Sequence, residues 1–232
     1  MGASADLVPN IGKNNNRVRS LDTTSIPNAL RTPGTEGYSE CAATLILQYE
    51  TIVFEELHRA ELHLLPTTPG FVLDIGAGIG IDAAWFAARG HRVVAVEPTE
   101  EFRIAGMARS AGSAIEWLDD ALPSLDRVLA RRQMFDTVIL NAVWMHLNER
   151  ERRIAMAKVA ALLAPNGLLM LSLRHGSVPK GRRMFQVSGQ ETVNLAGQHG
   201  LRPILNVQAE SYQLLNRTSG VVWTRLAFRH AE

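Results

Sequence analysis

The stretch FVLDIGAGIGIDAAWFAARGHRVVAVEP, residues 71–98, decides the fold class. It opens with an apolar run, Phe71–Ile75, which three glycines within five positions and then an alanine-rich segment follow. A second apolar run ends at Glu97. A buried strand, a tight glycine turn, a helix and a second strand are together typical of a parallel sheet with helices on both faces.

The same alternation continues to the end of the chain. Strands are predicted at residues 71–75, 92–96, 114–118, 135–140, 167–173, 201–208 and 221–229. Helices are predicted at residues 82–89, 99–110, 125–132, 149–163 and 189–199. No helical pattern separates the last two strands, which are therefore expected to pair antiparallel at one edge. The sequence predicts an α/β fold with a seven-stranded, mostly parallel, doubly wound sheet.

Residues 1–37 differ from the rest of the chain because they are polar, rich in turn residues and without periodicity. We expect an N-terminal arm there, extended or flexible, which could cover the domain or mediate a homodimer contact. Residues 38–232 are predicted to form one domain. Within it, residues 38–66 carry an amphipathic pattern that predicts a single lid helix before the first strand.

Composition excludes several classes of function. The formal net charge is +1, so no overall charge attracts nucleic acid or an anionic membrane. No apolar run is long enough for a membrane helix, and the N-terminus lacks the apolar core of a signal peptide. The single cysteine excludes a multi-cysteine zinc site and an intramolecular disulfide, so we expect no metal and a cytoplasmic location.

The glycines at positions 76, 78 and 80 predict a ligand site. Glycine lets a ligand approach the backbone closely, and the following helix offers unpaired N–H groups. Glu97 ends the second strand, where a carboxylate can accept hydrogen bonds from a ribose diol. The third glycine comes one residue earlier than in the G-x-G-x-x-G pattern, which disfavours NAD without excluding it.

These features together resemble one family. VLDIGAGIG, the glutamate that ends VVAVE, and the downstream WLDDALP are similar to class I S-adenosylmethionine-dependent methyltransferases, which have a Rossmann-like fold. The resemblance extends from about residue 45 to residue 229. It implies S-adenosylmethionine as the cofactor, bound by Asp74, Gly76, Ala77, Gly78, Glu97, Pro98, Asp119, Asp120, Asn141 and Tyr49.

The resemblance also implies which part of the cofactor each residue contacts. Asp74 and the glycine backbone would lie beside its methionine part, Asn141 near its sulfonium, and Tyr49 of the lid near its carboxylate. Glu97 would hold the ribose and Pro98 would flank the adenine. Either Asp119 or Asp120 would accept a hydrogen bond from the adenine amino group, and Asp120 is preferred because DALP is similar to the usual loop.

Three further residues are candidates for the chemistry. His146 follows the fourth strand, where it could act as a general base, hydrogen-bond a loop carbonyl or cap the next helix. Arg174 and His175 end the fifth strand and are expected to face the same crevice. Arginines there, with Arg182 and Arg183 in the next loop as weaker candidates, could bind an anionic group.

The predicted function is methyl transfer to the oxygen, nitrogen or sulfur of a small-molecule acceptor, with an anionic group on the acceptor as a weaker expectation. The loop after the fourth strand lacks an Asn-Pro-Pro-aromatic motif, which counts against methylation of base amino groups or glutamine amides. Methylation of protein or RNA remains the alternative. An NAD-dependent oxidoreductase and a cofactor-binding protein without catalysis are the other hypotheses.

Overall fold

The computed structural model describes residues 1–2 and 32–231. Contacts divide the chain into two units, residues 1–30 and 31–232, and the sheet and its helices belong to the second unit. Most of the predicted N-terminal arm, residues 1–37, therefore lies outside the described residues. No helix among the described residues is long and apolar enough to cross a bilayer.

Seven strands form one sheet. They are β1 (Phe71–Ile75), β2 (Arg92–Val96), β3 (Ile115–Leu118), β4 (Phe135–Leu140), β5 (Leu163–His175), β6 (Leu201–Glu210) and β7 (Val222–His230). The α-helices of the described part are α1 (Ala42–Tyr49), α2 (Phe54–Leu57), α3 (Ile81–Ala87), α4 (Glu100–Arg109), α5 (Asp126–Ala130), α6 (Glu149–Leu162), α7 (Gly189–Gly197) and α8 (Leu214–Thr218).

The strand order is β3-β2-β1-β4-β5-β7-β6. The first five strands in this order run parallel, and β7 runs antiparallel to both β5 and β6. The predicted seven-stranded sheet with an antiparallel edge pair is confirmed. The helix α8 corrects one detail, because the sequence showed no helix between the last two strands. Its five residues are too few to produce a periodic pattern.

Alternating side chains of the central strands supply two apolar layers. Leu73 and Ile75 of β1 belong to the larger core cluster, which includes residues of α5, α6 and α7. Val72 belongs to the cluster on the opposite face, with Phe86 of α3. Both faces of the sheet are thus covered, which explains why its central strands read as continuous apolar runs.

The prediction of one continuous lid helix over residues 38–66 is wrong. The segment is divided into α1, α2 and two short 3₁₀ segments, Ser39–Cys41 and Leu62–Leu64. The break falls at Thr51, Ile52 and Val53, three β-branched residues of low helix propensity, and Val53 is extended with φ −101° and ψ 120°. After the break, the ring of Phe54 stacks on Trp85 with a centroid distance of 4.1 Å.

The start of β5 also differs from the prediction. The strand begins at Leu163 rather than at residue 167, so the segment APNG lies within it instead of forming a turn before it. Its pairing with β4 shifts register between Phe135 and Thr137, and Asn166 has a φ of 62°. A bulge of this kind admits turn residues into a strand.

Candidate active site

A cavity of about 430 Å³ lies at the carboxyl ends of β1, β2 and β4. This is the edge where open α/β sheets bind ligands. Of the residues predicted to hold a cofactor, the structure brings to the cavity wall Tyr49, Asp74, Gly76, Ala77, Gly78, Glu97, Pro98, Asp120 and Asn141. The candidates His146 and Arg174 line the same cavity.

Two of the three glycines are required by protein packing rather than by a ligand. All three have positive φ, which favours glycine. A Cβ on Gly76 would lie 2.4 Å from Cγ2 of Val143, and one on Gly80 would lie 2.8 Å from the ring of Trp117. A larger residue at either position would therefore collide with a neighbouring side chain.

Gly78 is the glycine that borders open space. The nearest atoms to a Cβ placed there belong to the ring of Tyr49, at 3.9 Å. Its N–H donates to Oε2 of Glu97 at 2.8 Å, and the N–H of Thr99 donates to Oε1 of the same carboxylate at 2.7 Å. Gly78 thus presents bare backbone to the cavity while Glu97 fixes the loop.

Glu97 is 5% exposed. Burial raises its pKa, and the two backbone donors act in the opposite direction. An ionised carboxylate has about four lone-pair positions, and the N–H groups of Gly78 and Thr99 and the side chain of Thr99 use some of them. The carboxylate therefore keeps limited acceptor capacity for a hydroxyl donor of a ligand.

Asp74 is buried at the end of β1, and its Oδ2 accepts the N–H of Ala83 at 3.2 Å. Burial raises the pKa of Asp74 well above its usual value, and the neighbouring Asp82 raises it further. Asp82 itself lies 3.1 Å from Nε2 of the buried His58. Asp74 consequently holds its proton more readily than an exposed aspartate does.

The two acids after β3 occupy different surroundings. Asp120 lines the cavity, and its carboxylate accepts N–H groups at the start of α5, from Arg127 at 2.8 Å and Val128 at 3.0 Å. Asp119 is absent from the wall, and its Oδ1 lies 3.5 Å from Nη1 of Arg103. The adenine contact stays a prediction, and the wall position agrees with the preference for Asp120.

A buried polar network fixes Asn141 at the end of β4. Its Oδ1 accepts a hydrogen bond from Oγ of Ser172 at 2.7 Å and another from Nη1 of Arg225 at 3.2 Å. Oγ of Ser172 also accepts the N–H of Ala142 at 2.7 Å. The amide oxygen of Asn141 is therefore held within the protein.

Arg225 extends this network to the segment before β1. Its Nε lies 3.7 Å from Oε1 of Glu61, and both residues are buried. Burial lowers the pKa of Arg225 and raises that of Glu61, and each charge opposes the shift of the other. The sequence patterns did not identify Ser172, Arg225 or Glu61.

Two arginines line the part of the cavity wall that includes Tyr38. Nη1 of Arg174 donates to the carbonyl of Ser177 at 2.8 Å. The guanidinium of Arg182 lies 3.6 Å from the ring centroid of Tyr38. Together with Tyr38 they make this part of the wall cationic and partly aromatic.

His146 has partners at both ring nitrogens. Nδ1 lies 2.7 Å from the carbonyl oxygen of Arg183, and Nε2 lies 3.0 Å from Oη of Tyr38. Burial is the largest influence on the pKa of His146 and lowers it. The contact with the carbonyl of Arg183 is the hydrogen bond to a loop carbonyl, one of the three alternatives that the sequence left open for His146. The helix-capping alternative is not realised, because Asn148 caps α6.

Arg174 and His175 both line a second cavity, but the expectation that His175 also faces the main cavity is not met. Successive residues of a strand point to opposite faces of the sheet. His175 lies within hydrogen-bond distance of Thr224, with Nε2 2.8 Å from Oγ1, and lines a separate cavity beside Val187. Of the two, only Arg174 borders the main cavity.

Comparison with known proteins agrees with this geometry. Residues 72–167 match the family described as "Methyltransferase domain". This segment therefore resembles a methyltransferase domain. The chain is 30% identical over 119 residues to uncharacterized methyltransferases of Mycobacterium tuberculosis and Mycobacterium bovis. That match covers 49% of this chain and 58% of the relatives, so the chain spans little more than half of their length.

Solved structures share the fold of the domain at low identity. The 1,6-didemethyltoxoflavin-N1-methyltransferase of Burkholderia thailandensis is 22% identical, with a TM-score of 0.62 over 88% of this chain and 92% of that one. The magnesium protoporphyrin IX methyltransferase of Synechocystis is 14% identical, with a TM-score of 0.63 over 84% and 97%. A TehB-like methyltransferase of Corynebacterium glutamicum is 19% identical, with a TM-score of 0.62 over 84% and 98%.

The cavity wall fits an adenosyl cofactor. Gly78 leaves room at the backbone, and the buried carboxylate of Glu97 keeps limited acceptor capacity for a hydroxyl donor. Among the described residues, no group of three or more histidine, cysteine, aspartate or glutamate side chains could hold a metal ion. Tyr38 is an aromatic wall residue that the sequence analysis did not identify, because it stands at the very start of the predicted lid segment.

Proposed function

We propose that the protein transfers a methyl group from S-adenosylmethionine to a small-molecule acceptor that carries an anionic group. The observation that carries this proposal is the buried Glu97 beside the open backbone of Gly78, within residues that match a methyltransferase domain. Because the chain spans only part of its curated relatives, its activity is a proposal.

The chain's own residues would position the cofactor. The bound cofactor supplies an electrophilic methyl group on a positively charged sulfur. Glu97 would accept hydrogen bonds from the ribose, and Tyr49 would cover the glycine loop from α1. Asn141, held by Ser172 and Arg225, would lie near the sulfonium. The protein's main task is then alignment of the two reacting groups.

Arg174 and Arg182 support an anionic acceptor. Both line the cavity, and guanidinium groups bind carboxylates and phosphates through paired N–H donors. The cavity of about 430 Å³ must also hold the cofactor, so the space left for an acceptor favours a small molecule over a folded RNA or protein surface. The names of two structural neighbours, with didemethyltoxoflavin and magnesium protoporphyrin, also refer to small molecules.

Isothermal titration with S-adenosylhomocysteine and, separately, with NAD tests the cofactor. The third glycine comes one residue too early for the dinucleotide pattern, so we expect binding of S-adenosylhomocysteine and no measurable heat with NAD. Binding of NAD alone would exclude the proposed function.

Arg174→Ala tests the anionic acceptor. The loss of charged hydrogen bonds is expected to raise KM for a carboxylate-bearing acceptor about 10- to 150-fold, equivalent to roughly 1.5–3 kcal/mol. The Kd for S-adenosylhomocysteine should change little, because the proposed role of Arg174 is to bind the acceptor rather than the cofactor. Arg153→Ala is the matched control, since that side chain is 65% exposed on α6. Equal effects on KM and Kd, or no effect on either, would remove Arg174 from the acceptor site.

A further inference from the structure

We propose that Tyr38 is a catalytic residue, whose hydroxyl takes the proton that the acceptor loses while its own proton passes to His146. This inference rests on the proposed function and deepens it, because it names the group that touches the reacting atom. It also changes the role predicted for His146, which would act through Tyr38 instead of contacting the acceptor.

The hydrogen bonds of His146 determine which nitrogen carries the proton. A carbonyl oxygen can only accept, so Nδ1, 2.7 Å from the carbonyl of Arg183, must be the protonated nitrogen. In a neutral imidazole, Nε2 then has a lone pair, and it lies 3.0 Å from Oη of Tyr38. The hydroxyl of Tyr38 therefore donates to His146, an assignment that follows from the hydrogen-bond network.

Both residues line the cavity, and their hydrogen bonds distinguish them. His146 is 7% exposed, and both of its nitrogens are engaged within the protein. The half-buried Tyr38 keeps acceptor capacity on its oxygen. The guanidinium of Arg182 lies 3.6 Å from the ring centroid of Tyr38, so an acceptor held by this arginine would lie close to the tyrosine.

The charges around the pair suit the starting state of such a relay. Burial raises the pKa of Tyr38 to about 12, while the charges of Arg182 and Arg174 pull it down. The charge of Glu97 raises it, and Tyr49 also lies close enough to interact with Tyr38. Tyr38 therefore enters the reaction with its proton in place.

His146 starts as the free base. Burial lowers the pKa of His146, and the charges of Arg182 and Arg183 lower it further. The carbonyl of Arg183 and the charge of Glu36 raise it, which stabilises the imidazolium once it forms. Glu36 in turn lies 4.0 Å from Nε of Arg183, so charges of both signs border the imidazole.

The step balances without any other reactant. The O–H or N–H bond of the acceptor breaks, and its proton moves to Oη of Tyr38 as the tyrosine proton moves to Nε2 of His146. The electron pair of the acceptor forms the new bond to the methyl carbon, and the electrons of the broken carbon–sulfur bond stay on sulfur. The products are the methylated acceptor, S-adenosylhomocysteine and an imidazolium, which returns its proton to solvent after release.

Packing alone is the rival explanation for Tyr38. Its ring meets Phe102 edge-on with a centroid distance of 5.9 Å and lies under the guanidinium of Arg182. Tyr38→Phe keeps both ring contacts and removes only the hydroxyl, so it separates packing from proton transfer. Tyr49→Phe is the matched control, because it removes the hydroxyl of the neighbouring tyrosine, which also lines the cavity.

The experiment measures kcat of the full chain with para-hydroxybenzoate and its mono- and dinitro derivatives, whose phenols range from neutral to ionised at the assay pH. Tyr38→Phe should lower kcat about 10²- to 10⁴-fold for the neutral phenol, the usual contribution of general base catalysis, and hardly at all for the ionised one. Any loss in Tyr49→Phe should be the same for all three acceptors. A loss in Tyr38→Phe that does not depend on acceptor acidity overturns the proposal.

A second measurement does not depend on turnover. Nitrogen-15 NMR of labelled histidine, with the His146 signal assigned through His146→Gln, should show the tautomer protonated at Nδ1 in the wild type. Tyr38→Phe should shift the Nε2 signal to that of a nitrogen without a hydrogen bond. Protonation at Nε2 in the wild type would overturn the relay. Absence of S-adenosylhomocysteine binding would instead count against the proposed function, so the two failures are distinguishable.

Discussion

Replacing Arg225 with methionine is expected to lower the free energy of unfolding by about 3–5 kcal/mol, the range for removing one partner of a buried ion pair. Arg225 and Glu61 are 4% and 2% exposed. The substitution would leave the Glu61 carboxylate in the interior without its cation, and Oε2 of Glu61 already has no hydrogen-bond partner among the described residues. Chemical denaturation followed by tryptophan fluorescence measures the loss.

The size of this loss should depend on pH. Burial raises the pKa of Glu61, whereas the charge of Arg225 lowers it, so the variant should raise this pKa further. A carboxyl whose folded pKa lies above its unfolded pKa binds more protons in the folded state, and stability then falls as pH rises between the two values. The deficit of Arg225→Met relative to wild type should therefore grow from acidic to neutral pH.

Two variants keep this prediction testable. Arg229→Met removes an arginine from the same strand whose Nη1 donates to a carbonyl at an exposed site, and its cost should stay within about 0.5 kcal/mol. The double variant Glu61→Leu with Arg225→Met removes both charges and should recover most of the loss. If Arg225→Met costs no more than Arg229→Met, the pair contributes nothing to stability.

Much of the fold could be predicted because the signals for the central strands are local. The predicted bounds of β1, β2 and β4 agree with the structure, since each is an apolar run in a strand with a parallel neighbour on both sides. The lid helix and the start of β5 were misjudged for other reasons. The break at Val53 falls at three β-branched residues, which an apolar periodicity does not register, and the bulge before residue 168 depends on pairing with the distant strand β4.

Within the candidate site too, the contacts between residues close in sequence could be predicted and the contacts between distant residues could not. The glycine loop and Glu97 lie within one strand–turn–helix unit, so their proximity follows from the chain itself. Tyr38 and His146 are 108 positions apart, and Arg225 and Asn141 are 84 apart. No sequence spacing brings such residues together, and only the strand order and the path of the lid segment do. His175 does not reach the main cavity with Arg174, because successive side chains of a strand point to opposite faces of the sheet.

Glu97→Ala is expected to weaken the binding of S-adenosylhomocysteine by about 1–3 kcal/mol, or roughly 5- to 150-fold in Kd. The reason is the loss of a buried carboxylate that would accept hydrogen bonds from the ribose. Isothermal titration of the full chain measures this change. Glu101→Ala is the matched control, because Glu101 is exposed in the first turn of α4 and should leave the Kd unchanged.

Glu97 also anchors the glycine loop, and the experiment must separate this structural role from the proposed binding of the ribose. Its carboxylate also accepts the N–H groups of Gly78 and Thr99, so Glu97→Ala leaves two backbone donors without their partner. Glu97→Gln keeps one oxygen as an acceptor and removes the charge. We expect Glu97→Gln to retain more stability than Glu97→Ala while still losing affinity for S-adenosylhomocysteine.

The stability of the two variants and their affinity for S-adenosylhomocysteine together show whether Glu97 anchors the loop, binds the ribose or does both. If both variants bind S-adenosylhomocysteine as the wild type does, while Glu97→Ala alone is less stable, Glu97 serves only to anchor the loop. The ribose would then lie elsewhere, and the cavity wall around Gly78 would lose its assigned ligand. If affinity falls in both variants and falls further than stability explains, the carboxylate contacts the cofactor directly. The bare backbone of Gly78 then has its physical reason, since a side chain there would occupy the space beside the sugar.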